Sequence, residues 1–216
     1  MALEKIIRHP SKEGNGASPL LIMLHGYGSN EQDLFSFAPE LSDNLRIVSF
    51  RAPYSLGMGA YAWYAINFDA DQNKFSDLDQ ARESLNILKE EIYALQKEYG
   101  NTAENTFVLG FSQGCILSLA FVLNYPSKTQ NIIGLSGYLM RELVPNNLKT
   151  EDFKEVKIYN SHGTMDQVIP ISWAQKTKAF MEDLPIDYCF EQYPAGHGVN
   201  PQNFFSLRNW IDEKIK

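Results

Sequence analysis

Hydrophobic positions along this chain follow two rhythms. Leu20-Leu-Ile-Met-Leu24 is an unbroken apolar run, the pattern of a strand buried on both faces. Leu45-Arg-Ile-Val-Ser-Phe50 is a second such segment. Leu78, Ala81, Leu85, Leu88, Ile92, Leu95 and Tyr99 then recur at steps of three and four, which lays one apolar stripe along a helix. Ser76 stands where an N-cap belongs, Asp77 and Asp79 suit the positive end of the helix dipole, and Gly100 ends the run. Thr106-Phe-Val-Leu109 predicts a strand, and an apolar helix follows to Asn124, closed by Pro126. Further strands are predicted over 131–135, 156–160 and 186–193. Pro170 opens a helix that carries Trp173, Thr177, Phe180, Met181 and Leu184 on one side. Asn200-Pro201 reads as an N-cap followed by a first-turn proline, and the helix after it buries Phe204, Leu207, Ile211 and Ile215.

Strand-then-helix alternation of this kind predicts an α/β fold, a mostly parallel central sheet with helices on both faces. Ligands in such folds bind at the carboxyl ends of the strands. The span from Arg51 to Phe75 breaks the rhythm. It is rich in glycine and aromatics, with Gly57, Gly59, Tyr54, Tyr61, Trp63, Tyr64 and Phe68, and has no helical period. Long irregular spans in compact domains are often functional. One reading makes it the wall of an acyl pocket, with Trp63, Tyr64 and Met58 as substrate-facing residues. The other makes it a surface loop of structural aromatics.

The 216 residues suffice for one well-filled domain, and no linker-like stretch divides 1–216. The formal net charge of −7 argues against a nucleic-acid partner, which requires a basic stripe. No apolar run nears the about 18 residues of a membrane span, so stable membrane insertion is not expected. Glu4, Lys5 and Arg8 interrupt the start of the chain, so it lacks the apolar centre of a signal peptide and a cytoplasmic location is expected. Cys115 and Cys189 form no CxxC pair and read as free thiols in a reducing compartment.

Gly110-Phe-Ser-Gln-Gly114 matches G-x-S-x-G between a predicted strand and a predicted helix, the setting of a nucleophile elbow. The tight turn excludes side chains beside Ser112 and lifts its hydroxyl clear of the sheet, while the helix N-terminus faces developing negative charge. Gly134-Leu-Ser-Gly137 also follows a strand, but Tyr138 stands where the second elbow glycine belongs, so Ser136 reads as structural or pocket-lining. A serine nucleophile needs a base. Of His9, His25, His162 and His197, only His197 follows both Ser112 and a suitable acid. It lies in the turn-rich stretch Pro194-Ala-Gly-His-Gly198. Asp166, between a predicted strand and helix, is the candidate that would orient His197, with helix capping as its other reading. Asp183 and Asp187 are competitors placed at the wrong edge of the sheet.

Two N–H donors are needed for an oxyanion. The backbone of Gln113 supplies one, and the glycine-rich His25-Gly-Tyr-Gly-Ser29 supplies the other at Tyr27. His25 is expected to hold that loop by hydrogen bonds. Asp69-Ala-Asp-Gln-Asn73 has the alternating oxygen donors of a calcium loop, but Lys74 replaces its glycine and Gln80 its glutamate. No metal and no cofactor are expected.

Leu24-His-Gly-Tyr-Gly28, Gly110-Phe-Ser-Gln-Gly114, His162-Gly-x-x-Asp166 with Val168 and Pro170, and Gly196-His197 together resemble the phospholipase/carboxylesterase family of α/β-hydrolases. That family includes bacterial carboxylesterases and acyl-protein thioesterases. The resemblance implies the α/β-hydrolase fold without a large cap domain. It implies Ser112, Asp166 and His197 as the triad and Tyr27 and Gln113 as oxyanion donors, and it leaves a homodimer open. Cys115 departs from the family's usual second glycine after the elbow. The expected function is a serine carboxylesterase acting on short- to medium-chain acyl esters. The alternatives are a thioesterase or lysophospholipase on the same triad, and a non-catalytic binding protein on a hydrolase scaffold.

Overall fold

The computed structural model describes residues 2–11, 16–68 and 74–215. In chain order the elements are β1 (Lys5–Arg8), β2 (Leu20–Leu24), α1 (Gln32–Phe35), β3 (Arg46–Phe50), β4 (Tyr54–Gly57), β5 (Ala60–Ala62), β6 (Ile66–Phe68) and β7 (Lys74–Ser76). There follow α2 (Leu78–Tyr99), β8 (Thr106–Phe111), α3 (Gln113–Asn124), β9 (Asn131–Leu135), β10 (Lys157–Gly163), α4 (Ile171–Glu182), β11 (Asp187–Tyr193) and α5 (Pro201–Lys214). Seven strands form one sheet in the order β1-β3-β2-β8-β9-β10-β11. All neighbours are parallel except the edge strand β1, which runs antiparallel to β3.

Side chains alternate across the sheet as strand geometry requires. Leu20, Ile22 and Leu24 of β2 face a core shared with α2 and α3, whereas Leu21 and Met23 face a second core with α5. Helix α3 is buried along Gln113–Leu123, which explains why its sequence is apolar all round rather than striped. Helix α2 shows the expected stripe, with Ala81, Leu85, Leu88, Ile92 and Leu95 buried. Its cap differs from the sequence expectation. Asp77, not Ser76, is the N-cap, and its carboxylate accepts from Gln80 N–H at 3.0 Å. Gly100 ends the helix at φ 73°, a conformation that glycine adopts without strain.

The chain leaves β2 toward β3 on one side and returns to place β8 on the other. The crevice therefore opens at the carboxyl ends of β2 and β8. The irregular span resolves into two hairpins, β4–β5 and β6–β7. The rejected calcium-loop stretch 69–73 lies outside the described residues. Among the described residues no helix is long and apolar enough to cross a membrane, and no three His, Cys, Asp or Glu side chains gather as metal ligands would.

Candidate active site

Strand β8 ends at Phe111, and α3 begins at Gln113. Ser112 between them has φ 53° and ψ −113°, a strained backbone that packing must enforce. The packing is visible at both glycines of the motif. A Cβ at Gly110 would lie 2.2 Å from the Gly114 carbonyl oxygen, and one at Gly114 would lie 2.0 Å from the Leu24 carbonyl oxygen. No side chain fits either position, so the elbow closes only with glycine.

Ser112 Oγ lies 2.9 Å from His197 Nε2, and His197 Nδ1 lies 2.7 Å from Asp166 Oδ2. A carboxylate only accepts, so Nδ1 carries the proton and Nε2 of the neutral ring accepts from the serine hydroxyl. The β11–α5 connection brings His197 to this edge, and the β10–α4 connection brings Asp166. The Asp166 side chain is fully buried. Burial alone would raise its pKa, but hydrogen bonds from Ile169 N–H, His197 and Val168 N–H outweigh it and hold the carboxyl below its ordinary value. His162, also buried, places Nε2 2.8 Å from the Ile169 carbonyl oxygen and 3.4 Å from Asp166 Oδ2. The carbonyl fixes the proton on Nε2, which donates to it, and Nδ1 is left buried without a partner among the described residues.

The loop after β2 runs directly beside Ser112. A Cβ at Gly26 would sit 3.4 Å from Ser112 Cβ. His25 fixes this loop: Nε2 accepts from Ala52 N–H at 3.0 Å, and Nδ1 therefore donates to the Gly26 carbonyl at 2.7 Å. Burial lowers the His25 pKa, which keeps the ring neutral in this role. Neither Tyr27 N–H nor Gln113 N–H has an acceptor among the described residues. Two backbone donors, one next to Gly26 and one next to Ser112, thus have no protein partner among the described residues. Ser136 also has positive φ, 51°, but it is buried, and its N–H donates to the Ser161 carbonyl. The imidazole pairs with Ser112.

The assignment of Trp63, Tyr64 and Met58 to the substrate pocket does not hold. Trp63 and Tyr64 are 0% and 1% exposed and belong to the hydrophobic core, so they have no surface to offer a substrate. Met58 lies in the turn of the β4–β5 hairpin with its side chain wholly in solvent. Sequence reasoning missed a groove of about 680 Å³ whose walls include Leu78, Tyr138, Met140, Trp173, Thr177 and Phe180. Tyr138 and Trp173 meet edge to face there, with ring centroids 4.8 Å apart. Trp173 stands 44% exposed rather than buried with its helix stripe. The available signal was Tyr138 itself, a bulky aromatic in the place of an elbow glycine, next to Gly137. A Cβ on Gly137 would lie 3.0 Å from the Ser112 carbonyl oxygen.

Cys115 is accommodated by glycines. Its Sγ lies 2.9 Å and 2.6 Å from where Cβ atoms at Gly134 and Gly137 would stand. The thiol occupies space that those two positions leave open at the end of β9.

A seven-stranded, mostly parallel sheet with this strand–serine–helix elbow at its carboxyl edge defines an α/β-hydrolase, and no cap domain is evident among the described residues. The sequence profile of the phospholipase/carboxylesterase family matches residues 6–215, and the chain belongs to that family. Acyl-protein thioesterase 1 of Yarrowia lipolytica is 29% identical over 97% of both chains. Carboxylesterase SOBER1 of Arabidopsis thaliana is 30% identical over 118 residues, 54% of this chain and 52% of that one. Among solved structures, esterase PE8 superposes with a TM-score of 0.82 at 22% identity, covering 99% of each chain. A Bacillus cereus carboxylesterase superposes with a TM-score of 0.79 at 17% identity, covering 98% of this chain and 94% of that one. The last two likenesses concern the fold.

Proposed function

We propose that the protein is a serine carboxylesterase that hydrolyses short- to medium-chain acyl esters through an acyl-Ser112 intermediate. The observation that carries this reading is the continuous hydrogen-bonded chain Ser112 Oγ, His197, Asp166 at the carboxyl edge of the sheet. Ser112 Oγ attacks the ester carbonyl carbon while His197 Nε2 takes its proton. The carbonyl oxygen becomes an oxyanion, and the backbone N–H groups of Tyr27 and Gln113 donate to it. Collapse of the tetrahedral species expels the alcohol, which receives the proton from His197. Water then attacks the acyl-serine with His197 as base, releasing the carboxylic acid and restoring the Ser112 hydroxyl. Asp166 keeps the imidazole in the Nδ1–H tautomer and stabilises the imidazolium. The groove walled by Tyr138 and Trp173 has the volume of an ordinary ligand site and is the candidate acyl wall in this reading.

Thioester hydrolysis is the second reading, favoured by similarity to an acyl-protein thioesterase along 97% of the chain. The same triad serves both leaving groups. Rates against p-nitrophenyl esters of two to twelve carbons and the matching thioesters separate the readings. Ser112→Ala is expected to abolish turnover in both series, and wild-type rates in that variant would refute the acyl-serine mechanism.

A further inference from the structure

We infer that Trp63 is a positioning residue that holds both backbone donors of the oxyanion site in place beside Ser112. The inference rests on the hydrolase reading above and adds the part that keeps its donors aligned. Trp63 follows β5, and its indole Nε1–H donates to the buried His25 carbonyl at 3.0 Å. Its backbone N–H donates to Gln113 Oε1 at 2.8 Å, and Gln113 Nε2 donates to the next carbonyl, that of Tyr64, also at 2.8 Å. One residue therefore bonds to the segment that carries Tyr27 and to the residue that carries the second donor. Tyr61 extends the same seam: Gly28 N–H donates to its carbonyl at 2.9 Å, and its N–H donates to the Ser29 carbonyl at 2.8 Å. Ser84 Oγ anchors the Trp63 carbonyl from α2. The segment 61–64 is thus a strap across the oxyanion loop and the elbow, tied to the helix behind it.

The chemistry explains why such a strap matters. The charge on the carbonyl oxygen develops only in the transition state, so the donors act there and contribute little to ground-state binding. Displacement of a reacting group by about 1 Å costs on the order of 100-fold. Without the indole N–H, the His25 carbonyl is left buried with no donor, and the loop that presents Tyr27 is free to shift. Loss should therefore fall on kcat and leave KM in place.

The test uses Trp63→Phe, which keeps a buried aromatic ring but removes the pyrrole with its N–H, with p-nitrophenyl butyrate as substrate. The expected result is a fall in kcat of about 10- to 100-fold with KM held within about twofold. The inhibition constant of a trifluoromethyl ketone, whose serine adduct bears an oxyanion, is expected to rise in parallel with the loss in kcat/KM. Leu88→Ala, a truncation in the same core that touches none of the hydrogen bonds named above, serves as the packing control and is expected to keep kcat per folded molecule. Should Trp63→Phe not fold, Gln113→Met, which removes the bonds to Trp63 and Tyr64 but keeps the backbone N–H, is expected to give the same kcat-selective loss. Unchanged kcat and ketone affinity in the folded variant would overturn the inference, as would an equal loss in Leu88→Ala. A wild-type protein that turns over no ester and takes no fluorophosphonate label sinks the hydrolase reading itself. An active wild type with an indifferent Trp63→Phe sinks only the inference.

Discussion

Replacing Asp166 with asparagine should disable the base without dismantling the site. Oδ1 accepts from Val168 N–H at 2.8 Å and from Ile169 N–H at 2.9 Å, while Oδ2 accepts from His197 Nδ1–H. The amide oxygen of asparagine must take the Oδ1 place, because an NH2 there would confront two backbone donors. The amide NH2 then faces His197 and forces Nδ1 to become the acceptor. The proton moves to Nε2, which can no longer accept from Ser112. The variant also loses the carboxylate charge beside the imidazolium. Two unit charges about 4 Å apart at an effective dielectric of about 20 interact by about 4 kcal/mol. At about 1.4 kcal/mol per decade, that charge alone is worth about 10³-fold in rate. With the tautomer change added, kcat for p-nitrophenyl butyrate is expected to fall about 10³- to 10⁴-fold with little change in KM. Circular dichroism should show a folded protein. A loss under about tenfold in a folded Asp166→Asn sample would refute the role given to Asp166.

Two further outcomes concern groups outside the triad. Glu191 accepts from Tyr159, Tyr193 and Ser206; burial would raise its pKa, but these hydrogen bonds outweigh burial and hold it below the ordinary glutamate value. Its contribution is therefore complete above the unfolded glutamate value of about 4.3 and is lost as pH falls through the lower native value. The stability advantage of wild type over Glu191→Gln in urea titrations should narrow between about pH 5 and pH 3, and an advantage that widened there would contradict the sign. Burial pushes the Cys115 thiol up to about 12, and it also raises that of the half-buried Cys189. A disulfide reagent at pH 8 should leave Cys115 untouched in the native protein and react with both thiols in denaturant; prompt native labelling of Cys115 would contradict the packing around the elbow.

The sequence conveyed the elements whose local pattern and tertiary environment agree. The stripe from Leu78 to Tyr99 and the run from Leu20 to Leu24 appear as α2 and β2 over those same residues. The strand over 156–160 was legible but short, since β10 continues through Ser161, His162 and Gly163, polar or small residues buried by packing. Strand β1 escaped notice because its four edge residues, exposed Lys5 and three half-buried ones, carry no clear alternation. The hairpins escaped for a similar reason: three- and four-residue strands broken by Gly57 and Gly59 give no period to count. The site was more legible than its walls. Motif spacing and chain order brought out Ser112, Asp166 and His197 because the chemistry demands those residue types in that order. Trp63 and Tyr64 were misread because an aromatic in an aperiodic span looks the same whether it lines a pocket or fills a core. Only the tertiary partners, His25, Gln113 and Ser84, distinguish the two.

The most direct test of the acyl-serine account is peptide mapping by mass spectrometry after reaction with a fluorophosphonate. The account expects one adduct per chain, on Ser112, and a much slower reaction in His197→Ala. Adduct on Ser136 instead, or a folded protein that takes no label at all, would contradict it.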